Sequence, residues 1–459
     1  IIRDRVSRFT ENVICVKETG AHDLRAEEEE TEIENVIWDG EALLDAEIFN
    51  ANGYGMHGMM LLRNRFFKTC AFNTNLQDWF FDNDIAQVSR LAGYTTARDI
   101  KDIKLVITES SVKYFKFMPK AMPFEQKCKR FLDKNSSGFG VVKADHDAPL
   151  MDGMMAYTNY QLLNTIGLTR EGVGKLLEPS FEYLQDMLNR SPFLRYQINM
   201  TTDHATIAEN EVPDLAKYRR DTVLDMSCRT PLFEQTEFYK SFRSDTVRYF
   251  KERLRKGRIA ISGNYQVLFG NAYEFLWALT DESYEPTFSF SLDDGQVCST
   301  GFAHGEMVLC ARSPHITMGN LYLAQNAHCY DLLRYFNLTP NIICVNAIES
   351  NIQQRLNGCD YDSDSMLVTD DELIIAGVTG CYDILKVPVC KAEPVGKTDY
   401  ENTPKSLAAL DQAIAKNKIG EIVLGHPKNM DGTVGARAEK CEALAKTLEE
   451  RTGVPVVLG

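Results

Sequence analysis

The chain has 459 residues, 44% hydrophobic and 25% charged, which is too much apolar material for a disordered tail or a small stapled module and enough for two or more cores. No apolar run reaches the roughly eighteen residues of a membrane span, so no membrane partner is expected. Twelve cysteines without a Cys-x-x-Cys pair exclude zinc ribbons and a disulfide framework, and a net charge of −15 opposes contact with nucleic acid on average.

Residue 1 is Ile, with no basic-then-apolar leader behind it, so the protein is expected in the cytoplasm, its thiols reduced and its true start missing. Asn12–Val16 reads as a strand, and the acidic run Glu27–Glu30 as an exposed loop or helix start. Val36-Ile37-Trp38-Asp39-Gly40 and Met59-Met60-Leu61-Leu62 frame a Gly-containing connection, as short strands with turns do. In Arg63–Phe72 an apolar strand carries Lys68 at its centre; a buried unpaired lysine is costly, so such a cation marks an ion pair or a functional charge. Ile103–Thr108 is again β-rich, and Glu109–Phe117 behind it contains Ser111-Val112-Lys113-Tyr114-Phe115. Taken singly, lysines such as Lys68 and Lys113 are more often surface residues.

Residues 120–240 read as mostly helical. Leu162, Leu163, Ile166, Leu176, Leu177, Phe181, Leu184 and Leu188 recur at helical spacing, which signals core and nothing more. Lys143–Asp147 reads as a flexible stretch whose His146 and Asp residues are only a weak metal signal. From Lys217 to Arg258 twelve Lys or Arg stand against six Asp or Glu, a local +6 in an acidic chain; this is a solvated helical face or a basic groove for phosphates, and the helix-like Phe242–Leu254 bears Arg243, Arg248, Lys251 and Arg253. The β pattern returns at Lys256–Gly263 and continues with short, glycine-separated strands to about residue 375.

Two segments there carry chemistry. Met307–Ala311 is an apolar run delivering Arg312 and then a proline turn, Ser313-Pro314-His315. Further on, Gly358-Cys359-Asp360-Tyr361-Asp362-Ser363-Asp364 sets three carboxylates at alternate positions before the strand-like Met366-Leu367-Val368. A short loop of this kind can converge oxygens on a hard cation such as Mg²⁺. A solvated acidic turn fits the bare pattern as well, since Asp favours turns. A calcium loop of the EF-hand kind lacks its glycine and its terminal glutamate.

Together these segments resemble the second double-psi β-barrel of the cellular RNA polymerases, both the eukaryotic-type RNA-dependent enzymes and the largest subunit of the DNA-dependent ones. That family carries an Arg-x-Pro segment and an Asp-x-Asp-Gly-Asp loop in this order. Ser363 stands where the family has glycine, and at a positive φ a serine there costs on the order of 1 kcal/mol, which opens the reading of an altered or inactive loop. Lys68 and Lys113 are similar to the two lysines of the family's first barrel; Lys113 matches its Ser-Met-Lys-x-Phe context, whereas Thr69 replaces the glycine expected after Lys68. The resemblance spans about 36–420. It implies an α+β fold of two double-psi β-barrels joined by a mostly helical insertion, with a short α/β C-terminal fragment. The implied boundaries are an N-terminal segment 1–35, a first barrel 36–120, an insertion 121–250 lining a nucleic-acid path, a second barrel 251–390 and a following helix within 391–423.

The implied activity is template-directed RNA polymerisation with Asp360, Asp362 and Asp364 holding Mg²⁺ or Mn²⁺. Lys68, Lys113 and Arg312 would face phosphates, and the partners would be a nucleic-acid template, the RNA product and ribonucleoside triphosphates. Ser363 and the acidic net charge motivate a rival, a catalytically inactive homologue that binds nucleic acid.

Leu407–Gly420 has apolar residues at i, i+3 and i+7 before a glycine cap and resembles the helix behind the catalytic barrel. From Gly420 to Gly435, with the helix from Ala436 to Thr452 and Val454–Leu458, the chain instead resembles the RNase H-like nucleases described as Holliday-junction resolvases or ribosomal RNA precursor nucleases. That family's first aspartate and later acidic residues have no counterpart here. The change is abrupt, so a junction of two genes is expected near 420, with 424–459 read as a chimeric fragment ahead of the alternative of a genuine fusion; a nuclease acting through it is the third reading.

Overall fold

The structure is a computed structural model describing residues 1–20, 23–133, 138–147, 150–200, 215–315, 317–390, 410–411, 414, 419–425 and 436–458. Two long strands open the chain, β1 (Val6–Gly20) and β2 (Asp23–Val36). The acidic run is part of β2, not a loop or helix start. Its carboxylates are held by side chains distant in sequence: Glu34 pairs with Arg8 at 2.7 Å, Glu29 with Lys17, and Glu28 with Lys386. Local charge gave no sign of these partners.

β3 (Glu41–Asp45), β4 (Met59–Asn64), β5 (Phe67–Thr74), β6 (Leu105–Ile107) and β7 (Gly140–Ala144) form a five-stranded sheet of order β6-β3-β5-β4-β7. β3 runs parallel to β5, while the β4–β5 and β3–β6 pairs are antiparallel. A closed barrel within 36–120 is the expectation from sequence; this sheet is open, and its β7 lies beyond that boundary. The physical reason is visible at its edges, since β6 has three residues and β7 is exposed along almost its whole length, leaving no apolar face on which to close. Between β3 and β4 the connection contains a helix, Ala46–Ala51, started by Asp45, whose side chain accepts from the Glu47 N–H.

The middle of the chain is mostly helical, with Phe124–Leu132, Tyr160–Thr165, Arg170–Asn189, Ser191–Met200, Leu215–Arg229 and Glu237–Arg255. β7 interrupts it, as does β8 (Met155–Tyr157), which pairs with β9 (Ala260–Ser262).

β10 (Asn264–Gly270), β11 (Gln296–Cys298), β12 (Met307–Ala311), β13 (Tyr322–Asn326), β14 (Ile342–Val345) and β15 (Ser365–Thr369) close a six-stranded barrel of order β10-β14-β11-β13-β12-β15. The β10–β14 pair is parallel, and β15 joins β10 and β12 antiparallel. β16 (Pro388–Cys390) returns to pair with β1. Sheet and barrel share one apolar core. Phe72 of β5 stacks on Phe269 of β10 with ring centroids 3.8 Å apart, Phe336 meets Phe269 edge-on, and Trp38 stacks on Phe275 at 5.0 Å. At Gly270 an added Cβ would lie 2.5 Å from the Tyr361 ring, so only glycine lets β10 pass there.

Contacts divide the chain into one unit of residues 1–17 and 25–390 and another of 18–24 and 391–459. In the second, β17 (Ile422–Leu424) pairs in parallel with β18 (Val456–Leu458), and the helix Ala436–Thr452 contacts β18. The helix expected over Leu407–Gly420 falls mostly outside the described residues. No described helix is long and apolar enough to cross a membrane.

Because Phe269 is fully buried where barrel meets sheet, Phe269→Ala is expected to cost about 3–5 kcal/mol. Urea unfolding checks this, and a loss below about 1 kcal/mol would show that the two sheets do not share a cooperative core.

Candidate active site

Strand register builds the site. Val267 of β10 pairs with Ser365 of β15, and the Leu268 N–H donates to the Asp364 carbonyl at 2.9 Å, which ties the end of the aspartate loop to the barrel wall. Ala311 of β12 pairs with Leu367, so the chain leaving β12 delivers Arg312 to the same end of β15. Arg312 Nη2 contacts Asp364 Oδ2 at 2.7 Å, and its Nη1 donates to the carbonyls of Leu356 and Asn357 at 3.1 and 3.2 Å. This fork of contacts needs a guanidinium and could not be made by lysine.

From the sheet, Lys68 of β5 reaches across and pairs through Nζ with Asp362 Oδ2. The cation that the strand pattern singled out is thus half-buried against the aspartate loop. Within the loop the Asp360 N–H donates to Asp364 Oδ2 at 3.0 Å and the Asp362 N–H to Asp360 Oδ1 at 3.3 Å. Burial, then the charges of Asp364 and Asp362, push the Asp360 carboxyl up to about 6. Burial also pushes the neighbouring Cys359 thiol up to about 12. Ser363 has φ +112°, the left-handed side of the map that favours glycine.

Lys113 opens a short 3₁₀ turn, Lys113–Phe117, beside β5: Phe67 bridges Val112, and the Lys68 N–H donates to the Ser111 carbonyl at 3.1 Å. Its backbone therefore adjoins that of Lys68. Lys68 and Arg312 are the cations paired with the loop's aspartates among the described residues, and Lys113 is not.

Several residues at the site carried no chemical signal in the sequence. The turn before β3 lies against the loop: the Tyr361 N–H donates to the Asp39 carbonyl at 2.9 Å, and a Cβ on Gly40, whose φ is +85°, would lie 2.4 Å from the Asp362 Cβ. Gly40 is pinned in turn, its N–H donating to Ser110 Oγ and its carbonyl accepting from Thr69 Oγ1 and the Cys70 N–H. Ser110 Oγ donates to Asp4 Oδ1 at 3.0 Å; burial, then the charge of Glu109, push the Asp4 carboxyl up to about 7. Glu41 is completely buried, accepts from the Gly270 N–H through Oε2 and has its pKa raised by burial. The Trp38-Asp39-Gly40 turn was the one available sequence signal.

As placed, the three aspartates are not a finished cage: among the described residues no group of three or more His, Cys, Asp or Glu has the arrangement of a metal centre. Two of the three carboxylates are taken by Lys68 and Arg312. The donor set nevertheless suits a hard cation, being all oxygen and concentrated in five residues, with burial and then the neighbouring carboxylates raising Asp360. The weak metal signal at Lys143–Asp147 does not correspond to a centre either. Asp145 is buried and accepts from the N–H groups of Gly58 and Met59 and from Thr339 Oγ1.

The basic stretch is neutralised only in part: of its twelve Lys and Arg, Arg229, Lys240, Arg248 and Arg255 pair with Asp225, Glu237, Asp245 and Glu252 on their own helices, and Arg253 lies over the Tyr157 ring at 4.1 Å.

Residues 384–459 match the RuvX Holliday junction resolvase family. Curated relatives there are named as candidate pre-16S rRNA nucleases. That of Lachnospira eligens is 40% identical over 76 residues, 17% of this chain and 54% of the relative. That of Bacillus subtilis is 52% identical over 52 residues, 11% and 38% respectively, and that of Agathobacter rectalis 32% over 104 residues, 22% and 64%. The chain thus spans about half the length of the curated relatives it matches. Among solved structures it is similar to the RNA dependent RNA polymerase QDE-1 from Thielavia terrestris, with 13% identity and a TM-score of 0.48, over 91% of this chain and 40% of that one.

Two outcomes follow from the loop. Ser363→Gly is expected to stabilise the protein by about 1 kcal/mol by relieving the positive φ, and an unchanged or lower urea midpoint would contradict the strain. Asp360 binds its proton more tightly folded, at about 6, than unfolded, at about 4. Its contribution to stability is therefore full below about 4 and is lost as pH rises through 6. Without divalent ions, wild type should lose more stability between pH 4.5 and 7 than Asp360→Asn does; equal losses would remove the like-charge explanation.

Proposed function

We propose that residues 1–390 form a template-directed RNA polymerase that adds ribonucleotides to an RNA 3′ end on an RNA or DNA template. The observation that carries this reading is the aspartate loop held between Lys68 from the sheet and Arg312 from the barrel. Three carboxylates facing two cations, drawn from separate elements onto one loop, is the charge arrangement that phosphoryl transfer needs. In this reading the closed barrel and the open sheet, which both mix parallel and antiparallel pairs, are the two halves of a double-psi pair, the sheet being the incomplete one.

Asp360, Asp362 and Asp364 would hold Mg²⁺ or Mn²⁺, which when bound supplies the positive charge that lowers the pKa of the attacking 3′ hydroxyl. Lys68 and Arg312 leave their aspartates for the incoming triphosphate, one as a point charge and the other as a planar fork. Lys113, on the turn beside Lys68, adds a second ammonium on the same side. The 3′ hydroxyl gives its proton to solvent water, its oxygen bonds to the α-phosphorus, and the bond from that phosphorus to the bridging oxygen of the β-phosphate breaks so that pyrophosphate leaves. The Gly40 turn keeps Asp362 seated by excluding any side chain between them.

Ser363 favours a second reading, a homologue that binds nucleic acid without polymerising it, because the loop carries strain that the family's glycine would not. For the second unit, the match at 384–459 supports a nuclease segment. That activity would cleave a structured nucleic acid, survive Asp362→Ala and vanish with residues 420–459.

The deciding measurement is incorporation of labelled ribonucleotides on RNA and DNA templates with Mg²⁺ or Mn²⁺. Wild type should incorporate; Asp362→Asn should fall by about a hundredfold or more and Arg312→Lys by about tenfold. Oligonucleotide binding without incorporation at any ion concentration selects the second reading, and incorporation by Asp362→Asn at the wild-type rate sinks the polymerase proposal.

A further inference from the structure

The barrel has a second rim. β15 carries the aspartate loop at its start and Asp370 just past its end, so at roughly 3.3 Å per residue the two ends lie about 20 Å apart. At the Asp370 end opens a cleft of about 890 Å³, formed by the segments before β4 and after β7 together with barrel residues. Its wall carries Asp145, Asp147, Asp370, His57 and His146, and its lining contains no lysine or arginine. Here, unlike at the catalytic loop, no lysine or arginine of the lining faces the carboxylates; His57 Nδ1 lies 3.5 Å from Asp145 Oδ1.

Hydrogen bonding shows what the cleft lacks. Asn341 Nδ2 donates to Asp147 Oδ1 at 2.9 Å, and Asn341 Oδ1 accepts from Asn264 Nδ2 at 2.9 Å. Asn264 Nδ2 also donates to the Pro340 carbonyl at 3.0 Å. Two acceptors thus fix the Asn264 nitrogen and with it the opposite orientation of the oxygen. That oxygen, on a lining residue only 5% exposed, has no donor. Asp370 Oδ1 is buried without a donor as well. Buried acceptors are paired as a rule, and two orphans on the lining of one cleft call for donors from outside the protein.

The class of ligand follows by elimination. Phosphates and carboxylates bring acceptors and negative charge to a wall already rich in both. A divalent ion finds no group of three suitably arranged ligands among the described residues. What remains complementary is a ligand with N–H donors at intervals and positive charge. We propose that this cleft binds a linear oligoamine, its protonated amines donating to Asp370 Oδ1 and Asn264 Oδ1 while Asp147 supplies charge through Asn341. The site does not depend on the polymerase reading.

The test uses the full chain freed of nucleic acid, since amines bind phosphates, and calorimetric titration with the linear triamine spermidine. One saturable site is expected, weakened at least tenfold in Asp370→Asn and in Asp147→Asn and unchanged in Asp362→Asn. A quaternised triamine of equal charge but without N–H donors should bind at least tenfold more weakly to wild type, a comparison that needs no variant to fold. Absence of saturable binding, equal affinity for the quaternised amine, affinities untouched by both cleft substitutions, or displacement by equimolar Mg²⁺ would each overturn the proposal.

Discussion

The ion pair between Lys68 and Asp362 joins residues 294 positions apart and ties the five-stranded sheet to the barrel at the point where chemistry is proposed. Three carboxylates within five residues repel one another, and folding them into a half-buried loop is tolerable only with compensating charge. Lys68 supplies it from one side and Arg312 from the other, while backbone N–H groups of the loop donate to Asp364 Oδ2 and Asp360 Oδ1. The raised Asp360 follows from burying that loop and, after burial, from the charges of Asp364 and Asp362 beside it. Under the proposed polymerase reading, an incoming triphosphate would compete for the cations that hold the loop.

Much of this was legible in the chain. Alternate aspartates before an apolar strand, an arginine leaving another strand and a lysine inside a third are local patterns, and the structure brings these three together. Lys113 was legible only through its sequence context, and its backbone adjoins Lys68 without its ammonium reaching the aspartates. Asp39, Gly40, Glu41, Asp4 and Ser110 could not be read, because their roles come from tertiary contact: a glycine matters here for what lies 2.4 Å from its missing Cβ. The acidic run misled for the same reason: Glu27–Glu30 looked unpaired and belongs to a strand with distant cations. Of the twelve basic residues between 217 and 258, four are matched by acids a helical turn away. The open first sheet escaped because closure depends on whether edge strands have an inward apolar face, and β7 does not.

The two rims of the barrel treat acid differently. At one, carboxylates pair with protein cations; at the other, where an amine site is proposed, Asn341 links Asp147 to an acceptor that has no donor in the protein. A single strand, β15, separates them, so one short element carries two environments of the same sign and different demand.

β1 also sets a timetable. Its Ile14–Val16 segment pairs with Pro388–Cys390, so the partner strand is made some 370 residues later, which at about 5–20 residues per second is roughly 20–75 s of synthesis. Throughout that interval one side of the strand is an unsatisfied edge, the kind of surface that recruits foreign strands. The charged, strongly acidic neighbour β2 is well suited to keep a nascent chain from adding to others while it waits.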